Sequence, residues 1–144
     1  MGVRAAIWKH KLWAEPDFRL VSSGIPDYLT AVANARFCLM TEGNSWGTRI
    51  FDYMAIECLP LIVNDRMLFT FENILPYASF SLHASKRQVP QLPALLRNVS
   101  LSMQARMHAS LRVYKPAFIW WRPEGLAYEY TLAALGERVG SLKL

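Results

Sequence analysis

Phe37-Cys38-Leu39-Met40-Thr41-Glu42-Gly43-Asn44-Ser45-Trp46-Gly47-Thr48-Arg49, followed by Asp52 and then by Cys58-Leu59-Pro60-Leu61-Ile62-Val63-Asn64-Asp65, is the stretch on which the fold turns. Its opening apolar run predicts a short buried strand from Phe37 to Met40. A glycine-bearing loop follows, then a helix over 48–57 that opens with an arginine. The second apolar run, Pro60 to Asn64, is unbroken, which suits a parallel strand covered on both faces. Strand, loop, helix and strand form the unit from which an α/β protein builds a site for a phosphate-bearing ligand. Loop and helix-start N–H groups point at the anion, and a guanidinium beside them adds charge and a planar fork. The same turn also joins strand to helix where no ligand binds.

Working outward, apolar spacing predicts a helix over 5–14 ended by Pro16, a turn-rich stretch over 17–25, and a helix from Tyr28 through Ala35 capped at Asp27. Downstream come a short helix over 69–75 stopped by Pro76, a third strand from Phe80 to His83, and a helix over 89–99. A further helix starts at Ser100 or Ser102 and runs to Tyr114, with Pro116 as its breaker, and a last helix covers 124–139. Phe118-Ile119-Trp120-Trp121 either packs under the sheet or leaves an exposed apolar patch. Strands alternating with helices give an α/β fold, a Rossmann-like half-domain with few strands. No repeat, linker or low-complexity segment divides the chain, so residues 1–144 are expected to form one domain.

With 144 residues, 53% of them hydrophobic and five tryptophans, the chain can bury a core, and disorder is excluded as its native state. No apolar run reaches bilayer length, and the residues after Met1 lack a signal-peptide pattern. The net charge of +5 suits an anionic ligand or simply a basic surface. The basic residues (among them Arg4, Lys9, Arg36, Arg66, Lys86 and Arg112) are scattered and not interleaved with aromatics, which argues against a nucleic-acid partner. His10, His83 and His108 have no metal-ligand spacing with one another or with the cysteines. No Asp-x-Asp motif, P-loop or Ser–His–Asp arrangement occurs, so no metal site is expected. Asn98-Val99-Ser100 is a glycosylation sequon, relevant only if the chain enters the secretory pathway. Cys38 and Cys58 flank the loop–helix unit on neighbouring strands. In a reducing compartment both would be buried core thiols.

This stretch resembles the signature of the exostosin-type glycosyltransferases. The matching residues are Phe37-Cys38-Leu39, Gly43, Arg49, Cys58-Leu59-Pro60-Leu61-Ile62-Val63, Asp65 and Phe71-Glu72, within a motif core from about Tyr28 to Leu111. The Trp46-Gly47-Thr48-Arg49 form of the loop is most like plant and algal members. The resemblance implies a two-lobed GT-B architecture, of which this chain is the C-terminal, donor-binding lobe. The N-terminal lobe and the family's membrane anchor fall outside it. It further implies hexosyl or pentosyl transfer from a nucleotide sugar, a UDP-sugar, to a glycan or glycoprotein acceptor at the Golgi membrane or in its lumen, with no cofactor. Expected partners are the nucleotide sugar, the acceptor, and the N-terminal lobe or a partner chain. The alternative is a catalytically incomplete fragment that serves as a nucleotide-binding or interaction module. Family members can join cysteines at the positions of Cys38 and Cys58, so the resemblance also implies a bridge there.

Arg49 at a helix start opposes the helix dipole, a local cost explained if an anion such as the donor diphosphate sits there. Its other reading is a salt bridge to Asp52, three residues on, and in the ligand-bound reading Asp52 orients the guanidinium. Gly43 and Gly47 let the loop backbone approach phosphate or turn tightly, while Asn44 and Ser45 either bond phosphate and sugar hydroxyls or cap the helix. Glu72, at the start of the short helix, suits ribose hydroxyls or the helix dipole. Asp65, past a strand end, contacts ligand or caps its loop. No catalytic base is assigned, because it can belong to the other lobe. Three positions depart from the family pattern: Thr41-Glu42 and Thr70 stand where proline is usual, and Glu57 replaces the glycine before Cys58. Glu57 is expected to crowd the nucleotide loop.

Overall fold

The computed structural model describes residues 2–41, 47–65 and 68–141. Its centre is a parallel three-stranded sheet in the order β1 (Phe37–Thr41), β2 (Leu59–Val63), β3 (Leu82–Ala84). Register pairs Phe37 with Leu59, Thr41 with Val63, and Val63 with Ala84, so all three strands end at one edge. All five residues of β2 are buried, as a central strand between two helical layers requires.

The helices are α1 (Val3–Lys9), α2 (Tyr28–Ala33), α3 (Arg49–Ile56), α4 (Leu92–Arg97), α5 (Leu101–Tyr114) and α6 (Ala127–Ser141). On one face of the sheet, Cys38, Met40 and Ile62 pack with Ile50, Tyr53 and Met54 of α3, Met107 and Leu111 of α5, and Phe80. On the other face, Leu61, Val63 and Ala84 pack with Val3, Ala6 and Ile7 of α1 and with Val89 and Leu92. Ile50, Tyr53 and Met54 fall at i, i+3 and i+4, and so do Val3, Ala6 and Ile7, so each helix turns one stripe inward. Burying each large aliphatic side chain contributes about 1.5–3 kcal/mol relative to leaving it in water.

Several expected elements change shape. The first helix stops at Lys9: Lys11 takes a left-handed conformation (φ 52°) and Leu12–Ala14 continue as a 3₁₀ turn. Asp27 precedes α2 without capping it, because its carboxylate pairs with Arg19. Residues 69–75 form turns rather than a helix, since Phe71 is left-handed (φ 60°) and Tyr77 ties the segment by donating to the Thr70 carbonyl at 2.7 Å. The expected helix over 89–99 is a 3₁₀ stretch, Lys86–Gln91, followed by α4, and the break coincides with Pro90 and Pro93. Ser100 starts α5 by accepting the Met103 N–H. The last helix begins at Ala127, three residues later than its pattern suggests, because Gly125 and Leu126 are held by the Trp121 and Pro116 carbonyls.

Candidate functional site

Cys38 on β1 and Cys58 before β2 are joined by a disulfide with an S–S distance of 2.05 Å. Both sulfurs are buried, and the bridge closes a ring around the β1–α3–β2 crossover. Gly43, Asn44 and Ser45 lie outside the described residues. Gly47 enters α3 at φ 74°, a left-handed conformation that glycine adopts without strain.

Arg49 is exposed on the first turn of α3, at the edge where the strands end. The N–H groups of Ile50 and Phe51 are taken by the carbonyls of Gly47 and Thr48, so positive charge here comes chiefly from the guanidinium. Among the described residues no ion pair joins Arg49 to Asp52. The Asp52 carboxylate instead accepts from the Tyr28 hydroxyl at 3.4 Å. Tyr53 donates to the Leu39 carbonyl at 2.9 Å, which ties α3 to β1. Burial pushes the Tyr53 hydroxyl far above the usual phenol range, and Arg49 beside it pulls the other way. Tyr28 is raised first by burial and next by Asp52, with Arg49 again opposing. Both phenols therefore stay protonated and act as donors around an exposed cation. Sequence reasoning singled out neither tyrosine for the site. Their hydroxyls matter only once α2 docks beside α3.

Asp65 follows β2, and its Oδ1 accepts the Lys86 N–H at 3.0 Å, joining the ends of β2 and β3 at the same edge as Arg49. Arg4 reaches that edge from α1, its Nε donating to Thr41 Oγ1 at 3.4 Å. Glu72 is exposed in the turn after β2. It opens no helix, and its carboxylate accepts the Phe69 N–H at 2.9 Å. Gly47, Arg49, Asp52 and Asp65 are thus gathered on loops and a helix start at one sheet edge, while Glu72 is fastened to its own turn.

Glu57 does not crowd Gly47 and Thr48, the described residues of the loop. It sits at the opposite end of α3, about 12 Å along the helix from its start. There it is left-handed (φ 64°), with the Cys58 N–H reaching the Tyr53 carbonyl and its own N–H reaching Met54. That is a Schellman ending, whose left-handed position suits glycine. A non-glycine residue there costs about 1–2 kcal/mol. Glu57 offsets part of this by pairing with Arg112 at 2.8 Å and Lys115 at 3.1 Å on the end of α5, and these partners hold its carboxyl below the usual range. Glu57→Ala keeps the strain and loses both pairs, so it is expected to be less stable than Glu57→Gly by about 1–2 kcal/mol in urea unfolding at neutral pH. Because its folded pKa is lowered, the stability that ionised Glu57 adds is present above its ordinary value of 4.5 and fades as pH falls through the folded value.

Beside the site, the outer face of α3 and the segment after α5 enclose a groove of about 310 Å³ lined by Thr48, Phe51, Asp52, Phe118, Trp120 and Trp121. Trp120 and Trp121 are 55% and 71% exposed. Among the described residues no group of three or more His, Cys, Asp or Glu could hold a metal ion, and no helix is long and apolar enough to cross a membrane.

The family model of the exostosin GT47 domain matches residues 4–99. A probable glucuronosyltransferase of Oryza sativa subsp. japonica is 25% identical over 143 residues, covering 96% of this chain and 34% of the relative. A probable beta-1,4-xylosyltransferase of Arabidopsis thaliana is 25% identical over 99 residues, covering 68% of this chain and 24% of the relative. The chain thus spans about a third or less of the length of these curated relatives. With two thirds of its residues inside the family model, the protein belongs to the exostosin GT47 family of glycosyltransferases.

Proposed function

We propose that this chain is the donor-binding lobe of a two-lobed GT-B glycosyltransferase that passes a hexosyl or pentosyl group from a UDP-sugar to a glycan or glycoprotein acceptor in the Golgi lumen. The observation that carries this reading is Arg49: an exposed guanidinium at a helix start, without a carboxylate partner among the described residues, at the edge where parallel strands end. Ligands of open α/β sheets bind at that edge. In the reaction the acceptor hydroxyl attacks the anomeric carbon, the bond to the diphosphate breaks, and the nucleotide leaves with its charge developing. Arg49 is placed to stabilise that charge. The loop residues Gly43, Asn44, Ser45 and Gly47 line the diphosphate, Asp52 is steadied beside it by the Tyr28 hydroxyl, and Asp65 and the Glu72 oxygen not held by the Phe69 N–H accept from the sugar and ribose hydroxyls. No metal or cofactor is invoked. The acceptor's proton goes to a base on the N-terminal lobe or a partner chain.

Calorimetric titration of the chain with UDP, repeated on Arg49→Ala, tests the reading. Saturable binding that weakens about tenfold in the variant, about 1.4 kcal/mol, is expected. A folded chain that binds no UDP favours the second reading, an interaction module without donor affinity. The specific observation behind that reading is the groove with its exposed Trp120 and Trp121, a surface suited to a second lobe or partner chain.

A further inference from the structure

We infer that Asn98 is an N-glycosylation site, modified during passage through the secretory pathway. Two independent observations meet here. Cys38 and Cys58 form a buried bridge, a pairing that persists where thiols are kept oxidised, as in the secretory lumen, and is rare in the cytosol. Asn98-Val99-Ser100 is a sequon with no proline at its middle position, and it occupies an exposed junction between two helices.

The local geometry suits the modification. Asn98 is the residue after α4, with its backbone N–H on the Ala94 carbonyl and its side chain exposed. Two residues later Ser100 is exposed, and its hydroxyl accepts from Met103 N at 3.2 Å. Within three residues of Asn98 in either direction stand Leu95 and Leu101, both exposed, the second at 77%. A bulky hydrophilic glycan there covers apolar surface that the fold itself leaves in water.

Its position also keeps it clear of the sheet edge that carries Arg49. The neighbouring Arg97 bonds Asp17 through Nε at 3.0 Å and Glu15 through Nη2 at 2.6 Å. From Ala84, the last residue of β3, the chain passes through Val89, Leu92 and Leu96, which pack in the cluster that also holds Phe37 at the start of β1. Asn98 therefore lies towards the edge where the strands begin, opposite the candidate site. In the modification, the Asn98 Nδ2 attacks the anomeric carbon of a lipid-diphosphate-linked oligosaccharide. The C–N bond forms, the C–O bond to the diphosphate breaks, the amide gives up one proton, and the lipid diphosphate leaves.

The test is expression of the full chain behind a cleavable secretory leader in eukaryotic cells, with gel mobility read before and after enzymatic N-glycan removal. One mobility step is expected for the unaltered chain and for Ser100→Thr, which keeps both hydroxyl roles. The step should be lost in Asn98→Gln. An unaltered chain that runs unmodified in cells that glycosylate a control protein overturns the assignment, and so does a step that survives in Asn98→Gln. Glycan transfer does not depend on donor binding, so failure here leaves the UDP result standing, and the reverse holds as well.

Discussion

Replacing both bridge cysteines, as Cys38→Ala with Cys58→Ala, is expected to lower the free energy of unfolding by about 3 kcal/mol. The figure follows from loop closure. The two residues are separated by 20 positions, and an unfolded chain freed from that ring regains the corresponding entropy. In a domain of this size the loss corresponds to a fall in melting temperature of roughly 10 °C. Denaturant unfolding of the two forms, with reduction of the unaltered chain as a third arm, checks it. Equal midpoints for bridged and cysteine-free chains would show that the two strands hold the crossover without covalent help. The effect should be larger than that of any exposed ion pair in the fold, since pairs such as Arg19–Asp27 contribute at most about 1 kcal/mol.

Gly125→Ala is expected to be as damaging, by about 3 kcal/mol, at the upper end of what overpacking costs. A Cβ on residue 125 would stand 2.1 Å from the Ile119 carbonyl oxygen and 2.7 Å from that of Trp121. Both are backbone atoms and cannot rotate aside. The same two carbonyls are employed locally, since Trp121 accepts the Gly125 N–H and Ile119 accepts the Ala127 N–H. Pushing them apart loosens the loop that carries Trp120 and Trp121 and frees the start of α6. Gly136 is the internal control. It lies within α6 with nothing near its missing Cβ, so Gly136→Ala should raise stability by about 0.5–1 kcal/mol. Thermal unfolding monitored by tryptophan fluorescence and by circular dichroism separates the two, because the Gly125 variant should lose its tryptophan signal at the lower temperature. Similar melting for both variants would contradict the packing argument.

The strand–loop–helix–strand core was legible because its pattern is local. The continuous run Leu59–Val63 has one good solution, a central parallel strand, and the α3 stripe of Ile50, Tyr53 and Met54 has one inward face. The segment after β2 was not legible, because distant parts of the chain shape it. Tyr77 reaches back to Thr70, and the Asn73 side chain donates to the Ala134 carbonyl on α6, 61 residues away. Glu57 shows the same limit from the other side. Its departure from the family glycine was visible, but its meaning was not. The residue needs a left-handed backbone and two cations, Arg112 of α5 and Lys115 just after it, and neither is written near it in the chain. Among the candidate site residues, the side of α3 that Arg49 and Asp52 occupy could be read from spacing. The partner of Asp52 could not, because Tyr28 arrives on another helix.

The ring closed by Cys38 and Cys58 also changes what damage to the molecule means. Every bond of the chain between those two residues, including the loop between β1 and α3, lies inside a covalent circle. A proteolytic nick in that loop opens the circle without parting the two ends: β1 and β2 stay tethered through sulfur and remain in register.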